Sequence, residues 1–274
     1  MVALAPAGQK AQASASAKAP ADKAPLLARA RQAYNAGQFD AAIAAATEAG
    51  KTPALASSAN LVLSRARLER FRAKQDAADL AGAHESLAAI EPARLSLAER
   101  RDYTVGLGIA VYFEGRPGAA AELFETLLDT PPAAPQSSLG EQRALFDWWA
   151  TAVDRAAQLA PDQGRRDFYL RILNRSQTEL SRDTASTAAG YWLAAAARGT
   201  GDLDRAWHAA IAAWIRSRAF ADRGAVRADL DQLVVTAIIP ERARALNPLS
   251  NDARDNAALV AAMRAEWEQI KSSW

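Results

Sequence analysis

Two histidines, His84 and His208, are the side chains in this sequence best suited to proton transfer or metal ligation near neutral pH. Each lies in an alanine-rich helical stretch with no His or Cys at ligand spacing, so packing of a helix face accounts for both. Cysteine is absent, which removes thiol nucleophiles, disulfides and thiolate metal sites, and is compatible with either redox compartment. No G-x-S-x-G elbow, glycine-rich phosphate loop or H-E-x-x-H pair occurs. Asp202 and Asp204 flank Leu203 at the expected start of a helix, where carboxylates cap free amides and complement the dipole. Asp229 and Asp231 stand two apart on an expected helix and so face away from each other. We therefore expect no catalytic residue, no metal ligand and no cofactor.

The elements that carry these residues are expected to be helices throughout. Half of the residues are hydrophobic but only 7% are aromatic, and much of the apolar share is alanine, the best helix former. Glycine is sparse and alternating Val/Ile/Thr runs are missing, which argues against a β architecture. The 33 basic and 31 acidic residues nearly cancel, and Lys10, Lys18 and Lys23 against Asp22 account for the net +2, so the remaining body is close to neutral. Such a body has no bulk attraction for nucleic acid or anionic lipid. The cluster Arg65, Arg67, Arg70 and Arg72 reads as a solvated helix face. No stretch reaches the ~18 apolar residues of a membrane span. Residues 1–24 are low-complexity Ala/Ser/Lys/Pro, expected to be a disordered tail. Their apolar start and Ala11-Gln12-Ala13 read as the remnant of a secretory signal, which suggests an exported or periplasmic protein.

Internal similarity organises the rest. The stretches 26–49, 103–129 and 186–214 each read as a helix, a turn at a glycine, one intervening residue and a second helix. Aligned on Gly37, Gly115 and Gly201, they place Phe39, Pro117 and Leu203 two residues later and Ala42, Ala120 and Ala206 three beyond that. Small residues Ala30, Gly108 and Ala194 stand seven before the turns. This pattern resembles the tetratricopeptide repeat, with small residues at two helix-crossing positions of a ~34-residue unit and a glycine turn. Pro132 and Pro53 fall at or near the place where that family often ends its second helix.

Degenerate pairs are expected between the clear units, over 61–74 with 77–90, and over 142–160 with 165–181, the latter separated by Pro161–Gly164. The second helix of the former pair is expected to end at Glu91-Pro92. That makes about five hairpins over 25–217, with a candidate hinge at 130–140. A cap over 218–274 follows: one helix over 226–238 stopped by Pro240, a break capped at Ser250 or Asn251, and a last helix with Leu259, Met263, Trp267 and Ile270 on one stripe. The fold class implied by the resemblance is an all-α, right-handed solenoid of antiparallel helix pairs. Trp192, Trp207 and Trp214 fit its interhelical layers, whereas adjacent Trp148 and Trp149 cannot both face one buried stripe.

In the tetratricopeptide family, first helices of the hairpins line a concave groove that receives peptide. The resemblance places Leu27, Arg31, Tyr34 and Asn35 in that groove from the first hairpin, Val105, Ile109, Tyr112 and Phe113 from the third, and Tyr191 and Arg198 from the fifth. The chaperone-binding subset holds a carboxylate with Asn and Lys here, but Arg31 and Ile109 occupy matching places, which argues against such a clamp. The function implied is a non-catalytic scaffold for a protein or peptide partner, with self-association a further route to covering the groove. Two alternatives stay open: an accessory subunit of an enzyme or envelope complex, and a helical-superhelix hydrolase, which needs a catalytic module. Removing residues 1–24 is expected to leave the thermal unfolding midpoint unchanged; a clear fall would make the tail structural.

Overall fold

The computed structural model describes residues 24–130, 139–219, 224–247 and 253–274, and all regular structure among them is helical. The tail, most of the 130–140 hinge with Pro132, and the cap at Ser250 or Asn251 fall outside the described residues. The chain divides into two compact units, Met1–Glu99 and Arg100–Trp274.

In the first unit, α1 (Ala24–Asn35), α2 (Phe39–Gly50), α3 (Ala56–Lys74) and α4 (Ala77–Ala88) pack in sequence, and α1 also touches α3. Leu27, Ala30, Ala46, Ala49, Ala59 and Val62 form one buried cluster, in which alanine lets the helices approach closely. The Arg stripe of α3 departs from the solvated face expected, because α3 has neighbours on several sides. Arg67 reaches the Gly82 carbonyl at 2.5 Å and Ser86 Oγ at 3.1 Å. Arg70 donates from Nε to buried Asp79 at 2.8 Å and from NH1 to Asp40 at 2.6 Å. The Arg65 guanidinium lies 4.7 Å from the Tyr34 ring centroid. Only Arg72 is exposed; it pairs with Glu69 one turn back. Long aliphatic stems let these side chains cross apolar surface and deliver charge at the seams.

The second unit holds α5 (Leu97–Phe113) from Arg100 onward, α6 (Pro117–Asp129), α7 (Leu139–Leu159), α8 (Asp162–Arg182), α9 (Thr187–Gly199) and α10 (Leu203–Arg216). After these come α11 (Gly224–Leu233), α12 (Ile239–Leu246) and α13 (Ala253–Ser273). From α6 to α10 each helix packs on the next, while α7 also touches α9, and α9 touches α11.

Three hairpin turns are built alike. Gly37, Gly115 and Gly201 adopt left-handed backbone, with φ of 71°, 81° and 84°. At each, the glycine N–H donates to the carbonyl three residues back and the next N–H to the carbonyl five back: Gly37 to Tyr34 and Gln38 to Ala33, Gly115 to Tyr112 and Arg116 to Val111, Gly201 to Arg198 and Asp202 to Ala197, all at 2.9–3.1 Å. This pairing satisfies the last carbonyls of the first helix and reverses the chain. The second helix then opens two residues later, at Phe39, Pro117 and Leu203. Ala30, Ala42, Ala120, Ala194 and Ala206 are all at 0% exposure, and Gly108 is buried where α5 meets Phe124 of α6. The α3/α4 turn shares only the left-handed residue, Gln75 at φ 56°, whose N–H donates four back to the Phe71 carbonyl at 2.7 Å, with Asp76 as the cap of α4.

Three other expectations change. The α7/α8 break is tighter than 161–164, because α8 opens at Asp162, directly after Pro161. Pro240 does not stop a helix: α11 runs into a π-helical turn, Val234–Ile238, and α12 continues with Pro240 at its beginning, where the missing N–H costs little. His84 and His208 are exposed on their helices instead of packed. The last helix behaves as its stripe suggests: Trp267 is fully buried, its ring 5.3 Å from Trp214 and 6.0 Å from Trp207. Asp231 accepts from Trp267 Nε1 and Lys271 Nζ, both at 2.7 Å, tying α13 to α11.

A Cβ on Gly108 would stand 2.5 Å from the Phe124 ring, whereas one on Gly115 would meet nothing within 4 Å but would sit at positive φ. Gly108→Ala should therefore cost about 1–3 kcal/mol by overpacking, and Gly115→Ala about 1–2 kcal/mol by backbone strain alone. In a double-mutant cycle followed by denaturant unfolding, Phe124→Leu should recover part of the first loss and none of the second.

Candidate functional site: a recess among three helices

A recess of about 480 Å³ opens in the second unit between α7, α9 and α11. It is lined by Arg143, Ala144 and Asp147 of α7, by Thr187, Ala188, Tyr191 and Trp192 of α9, and by Val226 and Asp229 of α11. On every helix the lining residues fall at spacings of one, three, four or five, a single stripe of an α-helix. Ala144 and Ala188 contribute so little bulk that they leave the volume open. The size lies within the range of ligand-binding sites.

Local structure holds the stripe in place. Ser186 caps α9 by accepting from Ala189 N–H at 3.2 Å, which fixes where Thr187 and Ala188 begin. Just ahead of it, Asp183 receives Arg143 in a two-point clasp, Nε at 2.7 Å and NH2 at 3.1 Å, and accepts Ala185 N–H at 3.1 Å. The clasp joins the start of α9 to α7 and neutralises the one cation of the lining. The Arg143 guanidinium beside it holds the Asp183 carboxyl below the usual aspartate range.

Two carboxylates then remain in the lining. Asp147 Oδ1 accepts from Trp192 Nε1 at 2.7 Å. Burial in the recess pushes the Asp147 carboxyl above the ordinary range; the Trp192 hydrogen bond opposes this and the charge of Asp229 adds to it. Asp147 and Asp229 are nonetheless both exposed as whole residues, so the shift at Asp147 is a modest one. Among the described residues neither carboxylate is paired with a cation. Tyr191, half-buried, has its phenol pushed up by burial and by Asp229, Asp154 and Asp147, so it stays neutral. Its ring meets Trp192 edge-on at 5.3 Å.

The same face continues along α7 and α9. Asp154 accepts from Tyr169 OH at 3.0 Å and from Gln158 Nε2 at 2.6 Å, and burial pushes its carboxyl up. Tyr169 is pushed up to about 12, by burial first and then by Asp154. Arg198 donates to Glu241 of α12 through Nε at 3.0 Å and NH2 at 2.5 Å.

Of the residues expected to contact a partner, Tyr191 lines the recess and Arg198 stands on the same helix, engaged by Glu241. Tyr112 and Phe113, half-buried, join the Trp148 ring at 5.8 and 5.9 Å, and Trp148 stacks on Phe124 at 6.2 Å. Trp148 is thus the partly accessible member of the adjacent pair, and Trp149 is fully buried. Ile109, also expected in the groove, is only 8% exposed and is counted with the core. Arg31, Tyr34 and Asn35 belong to the first unit and do not line the recess: Arg31 pairs with Glu99 at 2.7 Å, Tyr34 is half-buried beneath Arg65, and Asn35 is exposed. Sequence reasoning missed Arg143, Asp147, Thr187, Trp192 and Asp229 as a group. The signal available was their recurrence on first helices beside small residues.

Among the described residues no group of His, Cys, Asp or Glu stands at metal-holding spacing, and no helix is long and apolar enough to cross a membrane. No protein-family model matches the chain, and no curated protein matches it.

Because the folded-state pKa of Asp147 is raised, the native chain holds that proton more tightly than the unfolded chain does. Its ionisation lowers stability at neutral pH, and the penalty fades as pH falls through the raised value towards the ordinary 3.8. Asp147→Asn, which can still accept from Trp192, should raise the urea midpoint at pH 7, with the gain shrinking towards about pH 4.

Proposed function

We propose that this chain is a non-catalytic binding module of the tetratricopeptide type, which holds a protein or peptide partner along the first helices of its hairpins. The observation that carries the reading is the recess itself, formed by α7, α9 and α11 with aromatic, hydroxyl and carboxylate groups converging on one opening. Convergent polar groups around a partly apolar hollow are how extended peptides are held, through backbone hydrogen bonds plus side-chain anchors. Two features support the repeat assignment: the shared turn at Gly37, Gly115 and Gly201, and the contact of α1 with α3, α7 with α9 and α9 with α11, which is how consecutive repeats stack. A solenoid of right-handed sense is part of the proposal.

Ala144 lines the recess but is exposed, so a large side chain there plugs the opening without entering the core. The test is affinity capture with mass spectrometry, comparing the parent with Ala144→Trp, each first checked by circular dichroism. A partner retained by the parent and lost from the plugged variant supports the reading. Equal retention, or no partner at all, overturns it. In the latter case a concentration-dependent dimer in sedimentation would redirect the argument to self-association.

A further inference from the structure

The electrostatics of the recess narrow what can enter it. Its single basic residue, Arg143, is already held at two points by Asp183. Asp147 and Asp229 face the same hollow from α7 and α11, and no cation balances them among the described residues. An anionic ligand would meet two like charges. A purely apolar ligand would displace the water that now solvates both carboxylates and give nothing in return, leaving buried charge unpaired. A cation instead gains two acceptors and an adjacent ring, since Tyr191 is half-buried and its phenol carries no charge.

We propose that the recess between α7, α9 and α11 is a subsite for one lysine or arginine side chain of the bound peptide, held between the carboxylates of Asp147 and Asp229 beside the ring of Tyr191. This assignment rests on the binding reading above and specifies its chemistry. The alanines at 144 and 188 leave room for a long aliphatic stem, and Thr187 supplies a hydroxyl at the same mouth. Asp147 is positioned for this by its Trp192 bond, which engages one carboxylate oxygen, Oδ1, and leaves Oδ2 without a part in that bond.

The experiment uses the full chain and four pools of fluorescent nonapeptides, with degenerate flanks and a fixed central lysine, arginine, norleucine or glutamate, read by anisotropy. The lysine or arginine pool should bind roughly tenfold to a hundredfold tighter than norleucine, as expected for charge-assisted hydrogen bonds, with glutamate weakest. That preference should collapse in Asp147→Asn and in Asp229→Asn; both residues are exposed, so either replacement leaves folding intact. Norleucine binding as tightly as lysine and arginine overturns the subsite but leaves the peptide-binding reading standing. So does a charge preference that survives in the Asp147→Asn/Asp229→Asn double variant. Failure of all four pools to bind overturns both.

Discussion

Three hairpins of this chain reverse through a single glycine in the left-handed region, and the packing around them follows from where that happens. At Gly37, Gly115 and Gly201 the turn residue donates three back and its successor five back, so the orphan carbonyls of the first helix are used up inside the turn. The second helix therefore opens two residues after the turn each time, at Phe39, Pro117 and Leu203. Small residues recur at matching distances before and after each turn, and all are buried: Ala30 and Ala42, Gly108 and Ala120, Ala194 and Ala206. At the third such pair, α9 lies close enough for its next-door faces to meet α7 and α11, and the hollow between those three helices is what remains unfilled.

A core made so largely of alanine contributes less hydrophobic stabilisation per residue than one of leucine. Charge and aromatic groups at the seams supplement it. Arg70 joins α2, α3 and α4 through Asp40 and Asp79, Arg171 of α8 reaches Glu122 and Glu125 of α6, and Arg198 joins α9 to α12 through Glu241. These links join helices distant in sequence and are partly sheltered, so they resist screening better than exposed pairs of one helix. In the second unit Trp207 and Trp214 of α10 meet Trp267 of α13 by ring contact, bringing the large apolar area that alanine lacks.

Much of this was legible because the decisive residues are local. Gly37, Gly115 and Gly201 announce left-handed turns; the positions of α1, α2, α5, α6, α9 and α10 follow from them within a few residues. Gln75 shows the limit: it takes the same left-handed conformation with a side chain that gives no hint of it. The start of α5 was also readable in principle, since Ser96 and Glu99 form a capping box in which Ser96 N–H donates to the Glu99 carboxylate at 3.0 Å and Glu99 N–H to Ser96 Oγ at 3.3 Å. The recess was not readable. It needs Asp147, Tyr191 and Asp229 from three helices, and two alanines whose importance is the space they leave. The arginines of α3 misled for a related reason: a charged stripe looks solvated until the helices around it are known.

The π turn at Val234–Ile238 sets the azimuth of everything after it. Asp229 and Glu241 are twelve residues apart, and in an uninterrupted α-helix their side chains would diverge by about 120°. The wide turn absorbs one residue, leaving a divergence of roughly 20°. Both acids can then address α9, whose Tyr191 and Arg198 are themselves two turns apart on one side. A one-residue deletion inside 234–238 would restore an ordinary α-helix without changing where Asp229 or Glu241 points by much. A one-residue insertion would instead swing Glu241 off Arg198 and free a guanidinium at the end of the hollow, so this short stretch works as the angular gauge of the cleft.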